Sequence, residues 1–211
     1  MKIAIIGAGV VGVALGSAWA RKSHDIIFGA RDAASSKVND ALARVDGAKV
    51  ASIAEAVSWA DVAVLATPWG GTEAALKAAG SFSGKALLDA TNPLTPTYGL
   101  ALGHTTSGGE QVQAWAADAR AVKIFNSTGY DNMADTTYAP GKPAMIYCGD
   151  DASAKKTASQ LAGDLGFEPI DLGKLDQARY LEPYAMVWIK LALGQGLGRN
   201  IAFSLMRRAE H

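Results

Sequence analysis

Cysteine is almost absent from this sequence: of 211 residues only Cys148 carries a thiol, which excludes an intrachain disulfide. Its flanks, AMIYCGDD, read as the end of a strand rather than as an activated thiol site. Histidine is nearly as scarce, with His24, His104 and His211 the three imidazoles. No H-E-x-x-H, no cysteine–histidine cluster and no G-x-S-x-G is present, so no metal ligand and no serine nucleophile is assigned. His24 falls in the turn before a second strand, at the wrong end of a sheet, and His104 falls in a long loop, either solvated or beside a site. Ordinary alcohol or hydroxyacid oxidation needs a positioned acid or base and finds poor support, so no catalytic side chain is assigned. Charge of one sign is missing too. Twenty basic and twenty acidic residues cancel, which gives no bulk attraction to nucleic acid or anionic membrane. The longest apolar run near the C-terminus, YAMVWIKLALG, is broken by Lys190 and is too short for a membrane span. The opening MKIAII reads directly as a strand rather than a signal peptide. A cytoplasmic protein with a small-molecule partner is expected.

What the chain does have is an apolar content of 49%, enough for a substantial core. Short apolar runs alternate with helical spacing: Lys2 to Ile6, DIIF, AKVAS, DVAVLAT and KALLDA are strands, with helices from Val10, Ala33, Ile53 and Thr72 between them. That order predicts an α/β fold, a Rossmann-type doubly wound and mostly parallel sheet. After Asp89 the rhythm breaks into a long irregular stretch, TNPLTPTYGLALGHTTSGG, of the kind that tends to be functional. A helix near Glu110, the strand AVKIFN, a second irregular segment, a strand at Ala144, a helix from Ala152 to Leu165 and the strand EPIDL complete the body. Residues 1–174 are thus expected to form the dinucleotide-binding domain, and 175–211 a tail that is helical from Leu175 to Arg208. The tail is apolar enough to pack either on its own sheet or on a second copy in a homodimer.

The segment IIGAGVVG places Gly7, Gly9 and Gly12 in G-x-G-x-x-G spacing between a strand and a helix. The glycines permit a tight turn, close backbone approach to a pyrophosphate and close helix–strand packing, with Ala8, Val10 and Val11 completing the loop. At the tip of the second strand, FGARDAASSK has Gly29 and Arg31 where a carboxylate would bind a ribose diol. Glycine in place of the carboxylate removes its repulsion of a 2′-phosphate, and arginine close behind adds a planar donor fork, with Lys37, Ser35 and Ser36 in support, which favours NADP(H). Asp32 can bond a ribose or pair with Arg31. In LATPWGG, Thr67 and Pro68 end the fourth strand at the ligand-binding edge, and Trp69 offers either a flat surface beside the dinucleotide or a core cap for the next helix. Thr91, Asn92 and Pro93 end the fifth strand, and Asn126, Ser127 and Thr128 the next. These strand ends converge where a nicotinamide would lie, either binding it or satisfying turn backbone.

Together with YCGDDASAKK and LGFEPIDLGKLDQARYLEPYAMVWI, these segments resemble the NADP oxidoreductases that use coenzyme F-420, an 8-hydroxy-5-deazaflavin, and the match runs through nearly the whole chain. They are also similar to the nucleotide-binding domain of six-span membrane ferric reductases, which pass electrons from NADPH through a flavin. The resemblance implies hydride exchange between nicotinamide and a deazaflavin or flavin co-substrate, with the protein positioning the rings. It assigns Gly7, Gly9 and Gly12 to the phosphates, Arg31 to the 2′-phosphate, and Thr67, Pro68, Asn92 and Pro93 to the nicotinamide side. Archaeal members differ in a phosphate loop one residue longer and a histidine at the position of Asn126. Two other readings stay open: an imine or hydroxyacid reductase with Lys190 as its acid, and a non-catalytic NADP(H) sensor.

Overall fold

The computed structural model describes residues 1–139 and 141–208, so His211 and the end of the expected tail lie outside the described residues. Its strands are β1 (Lys2–Ile6), β2 (Asp25–Gly29), β3 (Lys49–Ala51), β4 (Val62–Leu65), β5 (Ala86–Asp89), β6 (Arg120–Lys123), β7 (Ala144–Gly149) and β8 (Glu168–Asp171). They form one sheet in the order β3-β2-β1-β4-β5-β6-β7-β8. The first six run parallel, whereas β7 pairs antiparallel with β6, Lys123 facing Cys148, and β8 runs parallel to β7. The order reverses between β1 and β4, and ligands of open α/β sheets bind in the crevice at such a switch point.

The helices are α1 (Val10–Ala20), α2 (Ser36–Arg44), α3 (Ile53–Trp59), α4 (Trp69–Ala79), α5 (Gly108–Trp115), α6 (Tyr130–Ala134), α7 (Ala152–Asp164) and α8 (Ala178–Ile189). Their local signals are clear in places: Ser52 and Glu55 form a reciprocal capping box on α3, and Asp151 caps α7 through the Ala154 amide. Helix α1 is small and apolar all round because it lies between the sheet and α6. Its Trp19 is fully buried, donates from Nε1 to Leu161 O at 3.0 Å, and meets Phe125 edge-on at 5.5 Å between ring centroids. One side chain thus joins α1 to α7 and to the loop after β6.

The C-terminal region differs from expectation. Helix continues only as a π turn, Lys190–Gly194, and the chain is then irregular through Arg208. The cause is GQGLGRN: Gly196 and Gly198 adopt φ of +70° and +75°, which helical backbone forbids. The segment folds back onto the same chain. Ile201 O accepts from Trp188 Nε1 and from Asn132 Nδ2, each at 2.7 Å, and the Phe203 ring packs on Tyr184 at 5.0 Å. Also absent from the sequence-based expectation was α6, a short turn of helix inside the second irregular segment.

Cys148 lies in this C-terminal half, packed against Ala178 and Leu181 of α8. Burial pushes its thiol up to about 12, consistent with a core residue rather than a nucleophile. At pH 8 the thiolate fraction is then about a thousandfold below that of free cysteine. Labelling with a thiol reagent should be very slow in the native state and should rise to the rate of a free thiol on addition of denaturant.

Candidate active site

A cleft of about 470 Å³ opens along the carboxyl edges of β1, β2 and β4, lined by Gly7, Ala8 and Gly9, by Gly29 to Asp32 with Ser35 and Lys37, and by Ala66, Thr67 and Pro68. The glycine spacing has a steric cause. A Cβ on Gly12 would lie 2.2 Å from Gly7 O, and one on Gly7, where φ is +113°, would lie 2.6 Å from Ala66 O. Gly9 has open space on its Cα face, with nothing within 4 Å of an added Cβ. It is also the N-cap of α1 and supplies no side-chain acceptor, so the first amides of the helix, from Val10, Val11 and Gly12, are left for an anion. Val10 is exposed beside the loop, while Val11 packs on the core and Gly12 is buried.

At the β2 end the charges are available. Asp32 Oδ1 accepts from the Ala34 amide at 3.0 Å, and Asp32 O accepts from Ser35 Oγ at 2.9 Å, so this carboxylate shapes its own turn. Among the described residues neither Arg31 nor Lys37 forms an ion pair. Ser35 is the N-cap of α2 but makes no capping bond, which leaves a second uncapped helix start beside both cations. The residues present fit a dinucleotide: one uncapped helix start for the pyrophosphate, and another, flanked by arginine and lysine, for a further phosphate on the ribose.

The opposite end is neutral and tightly bonded. Thr67 Oγ1 lies 3.0 Å from Thr72 Oγ1, and Pro68 is the N-cap of α4. Trp69 is absent from the cleft lining; its ring packs at 5.3 Å on Trp115, the core role that the sequence left open. Asn92 and Asn126, which follow β5 and β6 and, like Pro93, lie outside the lining of this cleft, form a reciprocal pair. Asn92 Nδ2 donates to Asn126 O at 2.8 Å, and Asn126 Nδ2 donates to Asn92 Oδ1 at 3.0 Å, which fixes both amide orientations. Asn126 is 5% exposed, and its Oδ1 has no donor. A buried acceptor left this way costs about 1–3 kcal/mol unless a ligand N–H supplies the bond. The residue before it, Phe125, is buried at φ +61°, a strained conformation for a bulky side chain that aims the loop. Thr128 instead accepts from Asn132 Nδ2 at 2.7 Å, and Pro93 is buried against Gly108. Lys190 is exposed and outside the cleft lining, His24 bonds Asp164 Oδ2 at 3.0 Å on another face, and His104 is exposed in the long loop at φ +60°.

Beneath the Asn92–Asn126 pair lies a buried ionic cluster that sequence reasoning missed. The Lys123 ammonium is wholly enclosed, 2.6 Å from Asp89 Oδ2 and 2.9 Å from Glu182 Oε1. Lys123 Nζ also donates to Thr91 O at 2.8 Å. Burial, the largest influence, would drive the ammonium down, but Asp89 and then Glu182 outweigh it, and the pKa rises above the ordinary lysine value. The available signals were a lysine inside the apolar run AVKIF and a glutamate in the apolar helix LEPYAMVW.

The sequence signature of the family NADP oxidoreductase, coenzyme F420-dependent, matches residues 2–93, which span β1 through the end of β5 and Pro93. The solved structure of a candidate F420-dependent NADP-reductase from Arthrobacter sp. FB24 is similar over 98% of this chain and 100% of its own, with 33% identity and a TM-score of 0.88. Metalloreductase STEAP3 of Rattus norvegicus is 33% identical over 104 residues, 49% of this chain but only 20% of that protein. A reductive aminase of Aspergillus terreus, solved with NADPH, cyclohexanone and allyl amine, has the same fold at 23% identity and a TM-score of 0.64, covering 92% of this chain and 62% of its own. Among the described residues no helix is long and apolar enough to cross a membrane. With residues 2–93 matched by the family signature and 98% of the chain similar at 33% identity to a structure that it covers completely, the chain belongs to the coenzyme F420-dependent NADP oxidoreductase family.

Proposed function

We propose that the protein transfers hydride between NADP(H) and a deazaflavin, coenzyme F420, or a flavin-type acceptor. The observation that carries this reading is the β2 end of the cleft, where Arg31 and Lys37, without an ion pair among the described residues, meet the uncapped start of α2, and where the one carboxylate of the lining, Asp32, is bonded through Oδ1 to the Ala34 amide. That arrangement favours a 2′-phosphate over a free 2′-hydroxyl. The α1 amides take the pyrophosphate, and the Asn126 Oδ1 acceptor suits the carboxamide N–H of a nicotinamide. When bound, NADPH would supply a hydride that a deazaflavin or flavin would accept together with a proton from solvent, with Thr67 and the Asn92–Asn126 pair holding the nicotinamide. The side chains around Asn92 and Thr67 are neutral, which suits a transfer between two rings that carry their own redox chemistry. Their work is orientation and exclusion of water. Lys190, exposed and outside the cleft, gives no support to an imine-reducing acid.

The same reading includes a homodimer. Tyr180, Val187, Leu193 and Leu197, on α8 and just beyond it, are 69%, 49%, 50% and 59% exposed, and a second copy of this chain would cover them. Sedimentation equilibrium should give twice the monomer mass, and Val187→Glu should shift it toward the monomer.

Anaerobic mixing of the protein and NADPH with coenzyme F420 should bleach the visible absorbance of the deazaflavin, and NADH should bleach it far more slowly. Binding of NADPH without bleaching of the deazaflavin or a free flavin would favour a sensor instead. Arg31→Ala should raise KM for NADPH about 10- to 100-fold, as expected for loss of a charged hydrogen bond of about 1.5–3 kcal/mol, and leave that for NADH nearly unchanged.

A further inference from the structure

The cluster of Asp89, Lys123 and Glu182 is placed unlike an ordinary buried ion pair, because its bonds go to the two ends of one loop. Asp89 Oδ1 accepts from the Thr91 amide at 2.8 Å and from Thr91 Oγ1 at 2.7 Å, while Lys123 Nζ donates to Thr91 O at 2.8 Å. Every one of these hydrogen bonds of Thr91 therefore ends on the cluster. On the other side, Glu182 Oε2 accepts from the Gly108 amide at 2.8 Å and Oε1 from the Gly109 amide at 2.9 Å. Thr91 opens the long irregular stretch after β5, and Gly108 closes it at the start of α5. Close packing makes the second end exacting: a Cβ on Gly108 would lie 2.9 Å from Glu182 Oε1, and one on Gly109 would lie 3.2 Å from Lys123 Cε. Residue 92, which follows the clamped Thr91, is the asparagine that holds Asn126.

We infer that Asp89, Lys123 and Glu182 act together as a clamp that fixes both ends of the loop between β5 and α5, and thereby holds the Asn92–Asn126 pair in position for the nicotinamide. The inference rests on the proposed use of this edge for the nicotinamide. These are positioning residues, since none of them lines the cleft. Glu182 belongs to α8, so the clamp also makes the geometry of the strand edge depend on the docking of the C-terminal helix. The adenosine end, built on β1, β2 and their following turns, shares no bond with the cluster. A clamp of this kind therefore separates two properties that a general loss of stability would change together.

The experiment compares two ligands on the full chain. NADP⁺ carries the nicotinamide, whereas adenosine 2′,5′-bisphosphate occupies the adenosine end alone. In Glu182→Gln, which keeps the shape of the side chain and loses its charge, the Kd of NADP⁺ should rise about tenfold while that of the bisphosphate stays within about twofold of the wild type. Thr91→Val removes one bond to Asp89 without stranding a charge and should change NADP⁺ binding in the same direction by less. Hydrogen exchange gives a readout independent of any ligand: the amides of Thr91, Gly108 and Gly109 should lose protection together in Glu182→Gln, with α1 unchanged. Equal weakening of both ligands, or loosening of Gly108 and Gly109 alone, would overturn the clamp. If wild-type protein bound neither ligand, the proposed cofactor would fail, and the exchange data would still decide whether the two loop ends are coupled.

Discussion

An ammonium buried away from solvent between two carboxylates constrains the second half of this molecule. Lys123 on β6 cannot be charged there without Asp89 from β5 and Glu182 from α8, and two carboxylates against one ammonium leave an excess of negative charge. The start of α5 offsets it, because the Gly108 and Gly109 amides point at Glu182 where the helix dipole is positive. Breaking such a cluster by removing one member costs about 3–5 kcal/mol, a large share of the stability of an ordinary domain. It follows that β5, β6, α5 and α8 must be in place together. The antiparallel strand β7 lies alongside, with Cys148 facing Lys123 and buried against α8.

The carboxyl edge of the sheet is built on two different principles. Around β1 and β2 the binding groups are backbone amides and long cations at the surface, arranged by glycine geometry and by the turn that Asp32 shapes. Such a surface attracts phosphate without fixing a ring to a fraction of an ångström. Around β5 and β6 the groups are short, buried and bonded to each other, with Phe125 held at a strained φ and Asn126 left with one acceptor to spare. Hydride transfer depends on the distance and angle between two rings, so rigidity belongs at that end. The second end also holds more strain and more buried polar groups, as functional sites do.

The β1–β2 end of the cleft was legible in the sequence because its determinants are local. Gly7, Gly9 and Gly12 lie within one turn, and Arg31 and Lys37 follow β2 directly, so spacing alone placed them. The parallel core was legible because apolar runs alternate with helical spacing. Trp69 was ambiguous since its partner, Trp115, comes from a distant helix. The cluster was not legible for the same reason: nothing local to Lys123 shows that Glu182 will reach it. The expected tail helix failed on local grounds, because the apolar pattern continues past Gly194 while the glycines at 196 and 198 end the helix. Helix α6 was too short to show a period.

A crystal structure of the protein with NADP⁺ bound tests the account most directly, since it fixes both ends of the cofactor at once. The account predicts the 2′-phosphate within hydrogen-bond distance of Arg31 and the α2 amides, and the carboxamide nitrogen on Asn126 Oδ1, with the Asn92–Asn126 pair unchanged. A cofactor whose 2′-phosphate lies away from Arg31, or whose nicotinamide leaves Asn126 Oδ1 without a donor, would contradict it.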